Sequence, residues 1–189
     1  MDWFLQWLPW IIVALIVLIL VIYVVRAYNR LVSLSVRVDN GWSQIDVQLK
    51  KRFDLIPNLV ETVKGYAAHE SATFENVTKW RTAAMQANTP EEKIKSNQEL
   101  SRALANLLFS VEQYPDLKAN QNFLDLQAQL QDIESKIAFA RQFYNDTVMR
   151  YNEYVIHFPS NLIASMFHFM QRSYYEVDEA EKAAPQVKF

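Results

Sequence analysis

The 189-residue chain is 51% hydrophobic and carries 19 Lys and Arg against 21 Asp and Glu, a net charge of −2, with two glycines and no cysteine. Lack of cysteine excludes disulfides and thiolate metal sites while leaving the redox compartment open, and scarce glycine argues against sheets, hairpins and phosphate-cradling loops, which draw on positive-φ residues. The charge is polarised, basic early and acidic over the last 16 residues, where Glu176, Asp178, Glu179 and Glu181 outnumber Lys182 and Lys188, so a nucleic-acid partner is disfavoured.

The first element is apolar without interruption from Ile11 to Val25, and the first basic residue is Arg26. Extended back to Trp3 it becomes a 23-residue stretch broken only by Gln6 and Pro9. Such a helix spans a hydrocarbon core of about 30 Å with a little tilt. A secretory signal would need a positive n-region and a small-residue cleavage site; here Asp2 opens the chain and Arg26-Ala27-Tyr28-Asn29-Arg30 follows the core. Over residues 26–52, Arg26, Arg30, Arg37, Lys50, Lys51 and Arg52 outnumber Asp39 and Asp46, and no Lys or Arg precedes the run. That asymmetry predicts a single-pass protein with its N-terminus outside and its C-terminal domain in the cytoplasm. Trp3, Trp7 and Trp10 suit the outer interface, Tyr23 and Tyr28 the inner one. The basic cluster reads as a topology signal that meets anionic headgroups.

Beyond the anchor, Trp42, Ile45, Leu49, Phe53 and Ile56 recur at helical spacing, and Leu59, Val63, Tyr66, Phe74, Val77 and Trp80 continue the period. Pro57 sits between the two sets, and the sequence leaves open a kink in one rod of residues 42–87 or a tight turn between two helices. Asn88-Thr89-Pro90 breaks the pattern. Thr89 before Pro90-Glu91-Glu92 reads as a hydroxyl cap with proline and acids in the first turn. A helix with Leu100, Leu104, Leu107 and Val111 on its stripe follows, ending near Tyr114-Pro115. Asp116 starts the next, whose stripe runs Phe123, Leu126, Leu130, Ile133, Ile137, Ala140, Tyr144, Val148, Tyr151 and Val155. Short loops make this the inner face of an antiparallel bundle rather than a zipper. After His157-Phe158-Pro159, Leu162, Ile163, Met166, Phe167, Phe169 and Met170 form a segment apolar on too many sides for a solvated tail. It closes the bundle end, touches the bilayer or meets another subunit.

The expected fold is therefore all-α: an N-terminal transmembrane helix followed by an elongated antiparallel up-and-down bundle of three to four helices. Residues 1–27 form the anchor, 28–175 the body and 176–189 an acidic tail.

Catalytic signals are few. His69-Glu70 opens like a zinc-protease helix, but Thr73 stands where the second histidine belongs. No nucleophile elbow, Walker loop, dinucleotide fingerprint or cysteine nucleophile is present. No cofactor or metal is expected. The polar set Lys50, Arg52, Asp54, Asn58 and Lys64 reads as structural or interfacial rather than catalytic.

The run Asp46 to Val60, with Val63-Lys64-Gly65-Tyr66 and His69-Glu70, resembles the signature of the LemA family of bacterial membrane proteins. So do Tyr114 to Asn120, Phe123-Leu124-Asp125-Leu126, Ala140 to Asn145, Tyr151-Asn152 and Phe158-Pro159-Ser160-Asn161, in the family's order. The resemblance implies a bacterial inner-membrane protein with one N-terminal anchor, a short external N-terminus and a cytoplasmic up-and-down four-helix body. It implies no enzyme activity, since the family has no established one; some relatives organise internal membranes such as magnetosomes, and others are encoded near membrane proteases. Asn40-Gly41 departs from the helix formers usual before Trp42, questioning an unbroken passage from anchor to body, and Tyr175 replaces a frequent phenylalanine.

The leading expectation is a non-enzymatic, membrane-tethered scaffold that meets lipids, itself and other membrane proteins. Its candidate contacts are Trp42, Lys50, Arg52 and Asp54, then Phe167 and Phe169, then Tyr174 and Tyr175. The second is a sensor or adaptor that holds a small ligand or a protease client between helices through Asp54, Asn58, His69 and Glu70. A hydrolase of unknown type is the third.

Overall fold

The apolar run belongs to a helix far longer than a bilayer requires. In the computed structural model, which describes residues 2–67 and 70–176 with side chains from Trp7 onward, helix α1 runs unbroken from Asp2 to Lys64. It passes straight through Asn40-Gly41 and Pro57, so neither ends it. Every residue from Trp7 to Ile22 is exposed. Burial starts at Ala27, one residue past Arg26, and recurs at Leu31, Leu34, Val38, Gly41, Ile45, Leu49, Arg52, Ile56, Leu59 and Val63. From Ala27 to Val63 ten such steps cover 36 residues, which is the 3.6-residue period of the α-helix.

The remaining elements are α2 (Ser71–Gln86), α3 (Pro90–Val111), the short α4 (Pro115–Lys118), α5 (Gln121–Ile156) and α6 (Ser160–Met166). Among the described residues the fold is all-α, with no strand. Of the alternatives left open at Pro57, a turn between two helices is not found there: α1 continues to Lys64 and α2 begins at Ser71, while Asp116 falls in α4, one short turn ahead of α5.

The described residues pack as two units whose divisions fall inside α1 and α5: residues up to Trp42 with Gln142–Tyr174, and Ser43–Arg141 with the residues from Tyr175. In the second unit, Leu55, Ile56, Leu59, Val60 and Val63 of α1 share one apolar core with α2, α3, α4 and the start of α5. The cap expected at Thr89 is present as a capping box: Thr89 Oγ1 accepts from the Glu92 N–H at 3.1 Å, and the Glu92 carboxylate accepts from the Thr89 N–H at 3.3 Å.

In the first unit, Tyr144, Val148 and Tyr151 of α5 and Ile163 and Ala164 of α6 are buried along with the start of the α1 stripe. The Phe158–Pro159 peptide is cis. Residues 169–174 form no regular element, and side chains of α5 bind them. Tyr151 donates to the Met170 carbonyl at 2.9 Å, and Tyr144 donates to that of Ser173 at 3.0 Å. Asn152 takes both backbone groups of Arg172, accepting from its N–H at 2.8 Å and donating to its carbonyl at 2.9 Å.

Candidate functional site

On α1, the stripe that steps from Leu49 to Ile56 places Arg52 inside the second unit, 0% exposed. A guanidinium removed from water costs several kcal/mol unless its N–H groups find acceptors. Here Nη1 donates to Glu134 at 2.9 Å and to Ser101 at 3.0 Å, and Nη2 to Asn97 Oδ1. Asn97 is fixed in turn by donating to the Lys93 carbonyl at 2.8 Å, and Lys93 pairs with Asp46 at 3.1 Å. One polar layer thereby joins α1, α3 and α5. Its centre, Arg52 and Asn97, is buried, while the Glu134, Lys93 and Asp46 side chains at its edge are partly exposed.

This placement corrects the sequence expectation for Arg52, which is an interior residue and not a surface contact. Its neighbours in the polar set do face water: Lys50 and Asp54 form an exposed pair at 3.0 Å, and Asn58 is exposed. Glu70 is half-buried at the N-cap position of α2 without a side-chain cap bond. His69 lies outside the described residues. The four residues expected to line a ligand groove thus include two on the solvated face. Asp54, Asn58 and Glu70 do not line the open groove of about 800 Å³ formed by Lys64, Ser71, Phe74, Glu75, Thr78, Lys79 and Thr82.

The aromatic expectations divide. Trp42 is half-buried and meets Tyr144 edge to face, ring centres 5.4 Å apart, so much of its surface is already used. Phe167 and Phe169 both lie against Tyr28, with centroids at 4.8 and 5.9 Å. Tyr174 is exposed, whereas Tyr175 is buried beneath the Arg141 guanidinium, 4.7 Å from its ring centre. Tyr175 is therefore a second correction: it is an anchor of its own chain, held by a cation–π contact.

Two residues absent from the sequence reading are the most exposed aromatics among the described residues of the second unit, Phe109 at 75% and Phe139 at 71%. A signal existed. Each falls off the stripe of its helix, between Leu107 and Val111 on α3 and between Ile137 and Ala140 on α5. Arg81 was missed as well; its Nε donates to the Phe53 carbonyl at 2.7 Å. In the first unit, burial pushes the Tyr151 phenol above its usual value, while the nearby Arg172 guanidinium pulls it partly back. Tyr151 thus stays a neutral donor to Met170. Among the described residues no cluster of three metal-ligating side chains occurs.

A sequence profile described as the LemA family matches residues 41–189. The chain belongs to the LemA family. Protein LemA of Metamycoplasma hominis is 25% identical over 164 residues, covering 85% of this chain and 74% of that protein. Magnetosome proteins MamQ 1 and MamQ 2 of Paramagnetospirillum magneticum are each 24% identical over 175 residues, covering 79% of this chain. This chain spans 64% of the length of those two relatives. With one helix among the described residues long and apolar enough to cross a bilayer, this LemA-family chain is a membrane-associated helical protein.

Proposed function

We propose that this LemA-family protein is a non-enzymatic scaffold, anchored by a single pass in the bacterial inner membrane, whose bodies associate laterally with one another and with other membrane proteins. The observation that carries this reading is the continuity of α1. The same helix that exposes an apolar face at every position from Trp7 to Ile22 goes on to supply the buried stripe from Ala27, with no linker between them. An anchor joined in this way sets the height of the first unit above the bilayer, and confinement to two dimensions raises the effective concentration of weak lateral faces. Phe109 and Phe139 are such faces, large apolar side chains left in water. Relatives named as magnetosome proteins fit a role in membrane organisation. The basic residues after the anchor favour an external N-terminus and a cytoplasmic body.

Mass photometry and blue-native electrophoresis of the full chain in mild detergent, with gentle crosslinking in cells, test the scaffold. Oligomers that weaken on Phe109→Ser and Phe139→Ser are expected. A strict monomer under all three conditions overturns it.

A further inference from the structure

The corner between α5 and α6 leaves large apolar side chains in the open at the end of the body where the anchor begins. Phe158 is 79% exposed, Leu162 and Met166 are each 58% exposed, and Met170 is 76% exposed. Leu162 and Met166 lie one turn apart on α6, opposite Ile163 and Ala164, which are buried in the unit. From Phe158 to Phe167 the chain carries no charged residue. A solvated surface helix would not read this way.

The height of this corner follows from contacts within the unit. A Cβ on Gly41 would fall beside Tyr144, so the two residues are level. From Tyr144 to Ile156 α5 advances 12 residues, about 18 Å at the helical rise, which carries its end to the level of about residue 29 of α1. Beyond α6 the chain reverses at His168, whose φ of 59° is left-handed. The Phe169 N–H bonds the Ala164 carbonyl at 2.9 Å and the His168 N–H that of Ser165 at 3.3 Å, a Schellman turn that returns Phe169 to Tyr28. A hydrocarbon core about 30 Å thick takes about 20 helical residues, so a span entering at Trp7 leaves at Arg26, two residues before Tyr28. The exposed corner therefore stands at the headgroup boundary of the leaflet from which the anchor emerges.

We propose that the α5–α6 corner is a lipid-binding site, in which Phe158, Leu162 and Met166 enter the headgroup–acyl boundary beside the anchor. This rests on the reading of α1 as a membrane span. The side chains suit that layer: flexible methionine and leucine with an aromatic, flanked in sequence by His157 and His168, while Arg26 and Arg30, where α1 leaves the span, suit anionic headgroups. The protein would then hold the membrane at two points, a span and an interfacial wedge, which fixes rotation about the anchor axis as a single helix does not.

The chain has no cysteine, so single-cysteine variants of the full protein take one fluorophore each. Val17→Cys reports the span; Val36→Cys, exposed and about 15 Å beyond Arg26 along α1, reports water; Leu162→Cys and Met166→Cys report the corner. The probe is a vesicle of phosphatidylglycerol and phosphatidylcholine, with and without bromine on the acyl chains. The expected result is severalfold stronger bromine quenching at positions 162 and 166 than at 36, unchanged when the protein is diluted in lipid. Phe158→Asp should reduce the quenching at 166 without altering that at 17. If 162 and 166 match position 36 in bromine and iodide quenching while 17 is quenched by bromine, the wedge is refuted and the span stands. If 17 is not quenched, the span reading fails and takes the wedge with it. Shielding at 162 from iodide but not by lipid bromine, lost on dilution, would assign the corner to a second copy of the chain and overturn the proposal.

Discussion

The Nε of Arg81 donates to the carbonyl oxygen of Phe53 at 2.7 Å, the acceptor that Pro57, four residues on, has no N–H to reach. Proline inside a helix normally removes that i to i−4 bond and breaks or kinks the rod. Here a cation from α2 replaces the missing donor, and α1 continues to Lys64. Arg81→Ala should leave a partly buried carbonyl without its partner, costing about 1.5–3 kcal/mol as expected for a hydrogen bond to a charged group. In a Pro57→Ala background the backbone N–H is restored and the same substitution should cost much less. Denaturant unfolding of the four proteins in a double-mutant cycle measures the coupling; a coupling near zero would mean that Arg81 does not act through the proline gap.

Gly41 lies on the buried stripe of α1, where a Cβ would come 3.3 Å from the Cα of Tyr144 and 3.4 Å from Thr147 Oγ1. The contact is with backbone, so the two helices must part by a few tenths of an ångström to admit even a methyl. Gly41→Ala gains about 1 kcal/mol of helix propensity against an overpacking cost of about 1–3 kcal/mol, a net loss near 1 kcal/mol. Gly41→Leu should be far worse and should also shift the emission of Trp42, whose ring meets Tyr144. Thermal unfolding with fluorescence reads both. A stabilised Gly41→Leu protein would contradict the close approach.

Much of this was legible in the chain itself. The α5 stripe from Phe123 to Tyr151, the Thr89 cap and the apolar span are local patterns, and local patterns persist when their tertiary setting agrees. What escaped were residues whose meaning depends on distant partners. Pro57 invites a break, and the remedy stands 24 residues away on α2. Arg52 looks like surface charge beside Lys50 and Lys51, yet its register on the stripe of Leu49 and Ile56 points inward. Stepping from Leu49 to Phe53 instead of to Arg52 chose the wrong row, since Phe53 is only half-buried. Tyr174 and Tyr175 are adjacent, and the second lies inside against Arg141, a partner 34 residues away that no local pattern reveals.

Tyr151 gives the first unit a dependence on alkaline pH. Its phenol pKa is raised by burial, so in the window just above the ordinary value of about 10 the unfolded chain ionises while the folded one does not. The Tyr151 contribution is complete below about pH 10 and is lost as pH rises through the elevated folded value. Tyr151→Phe should flatten this slope and remove the bond to Met170, costing about 1 kcal/mol near neutrality. Unfolding measured at about pH 8 and again above about pH 10, for parent and variant, tests it. Equal slopes in the two proteins would refute the assignment.

The buried ion pair makes the last prediction, and its asymmetry is what distinguishes it. Arg52 is fully enclosed, whereas the Glu134 side chain keeps 39% of its exposure. Removing the carboxylate with Glu134→Ala leaves a cation inside the core with only the neutral acceptors Asn97 and Ser101, at a cost of about 3–5 kcal/mol. Replacing the cation by an apolar side chain of similar length, Arg52→Met, leaves a carboxylate that water can reach and strands mainly Asn97 Oδ1, a loss of about 1–3 kcal/mol. The order expected in denaturant titrations is therefore Glu134→Ala less stable than Arg52→Met, with Arg52→Met/Asn97→Leu recovering part of the loss by removing the orphaned acceptor. If Arg52→Met proved the more damaging, the guanidinium would be acting through its hydrogen bonds to α3 more than through its charge, and the layer would have to be understood as a clamp of α1 to α3.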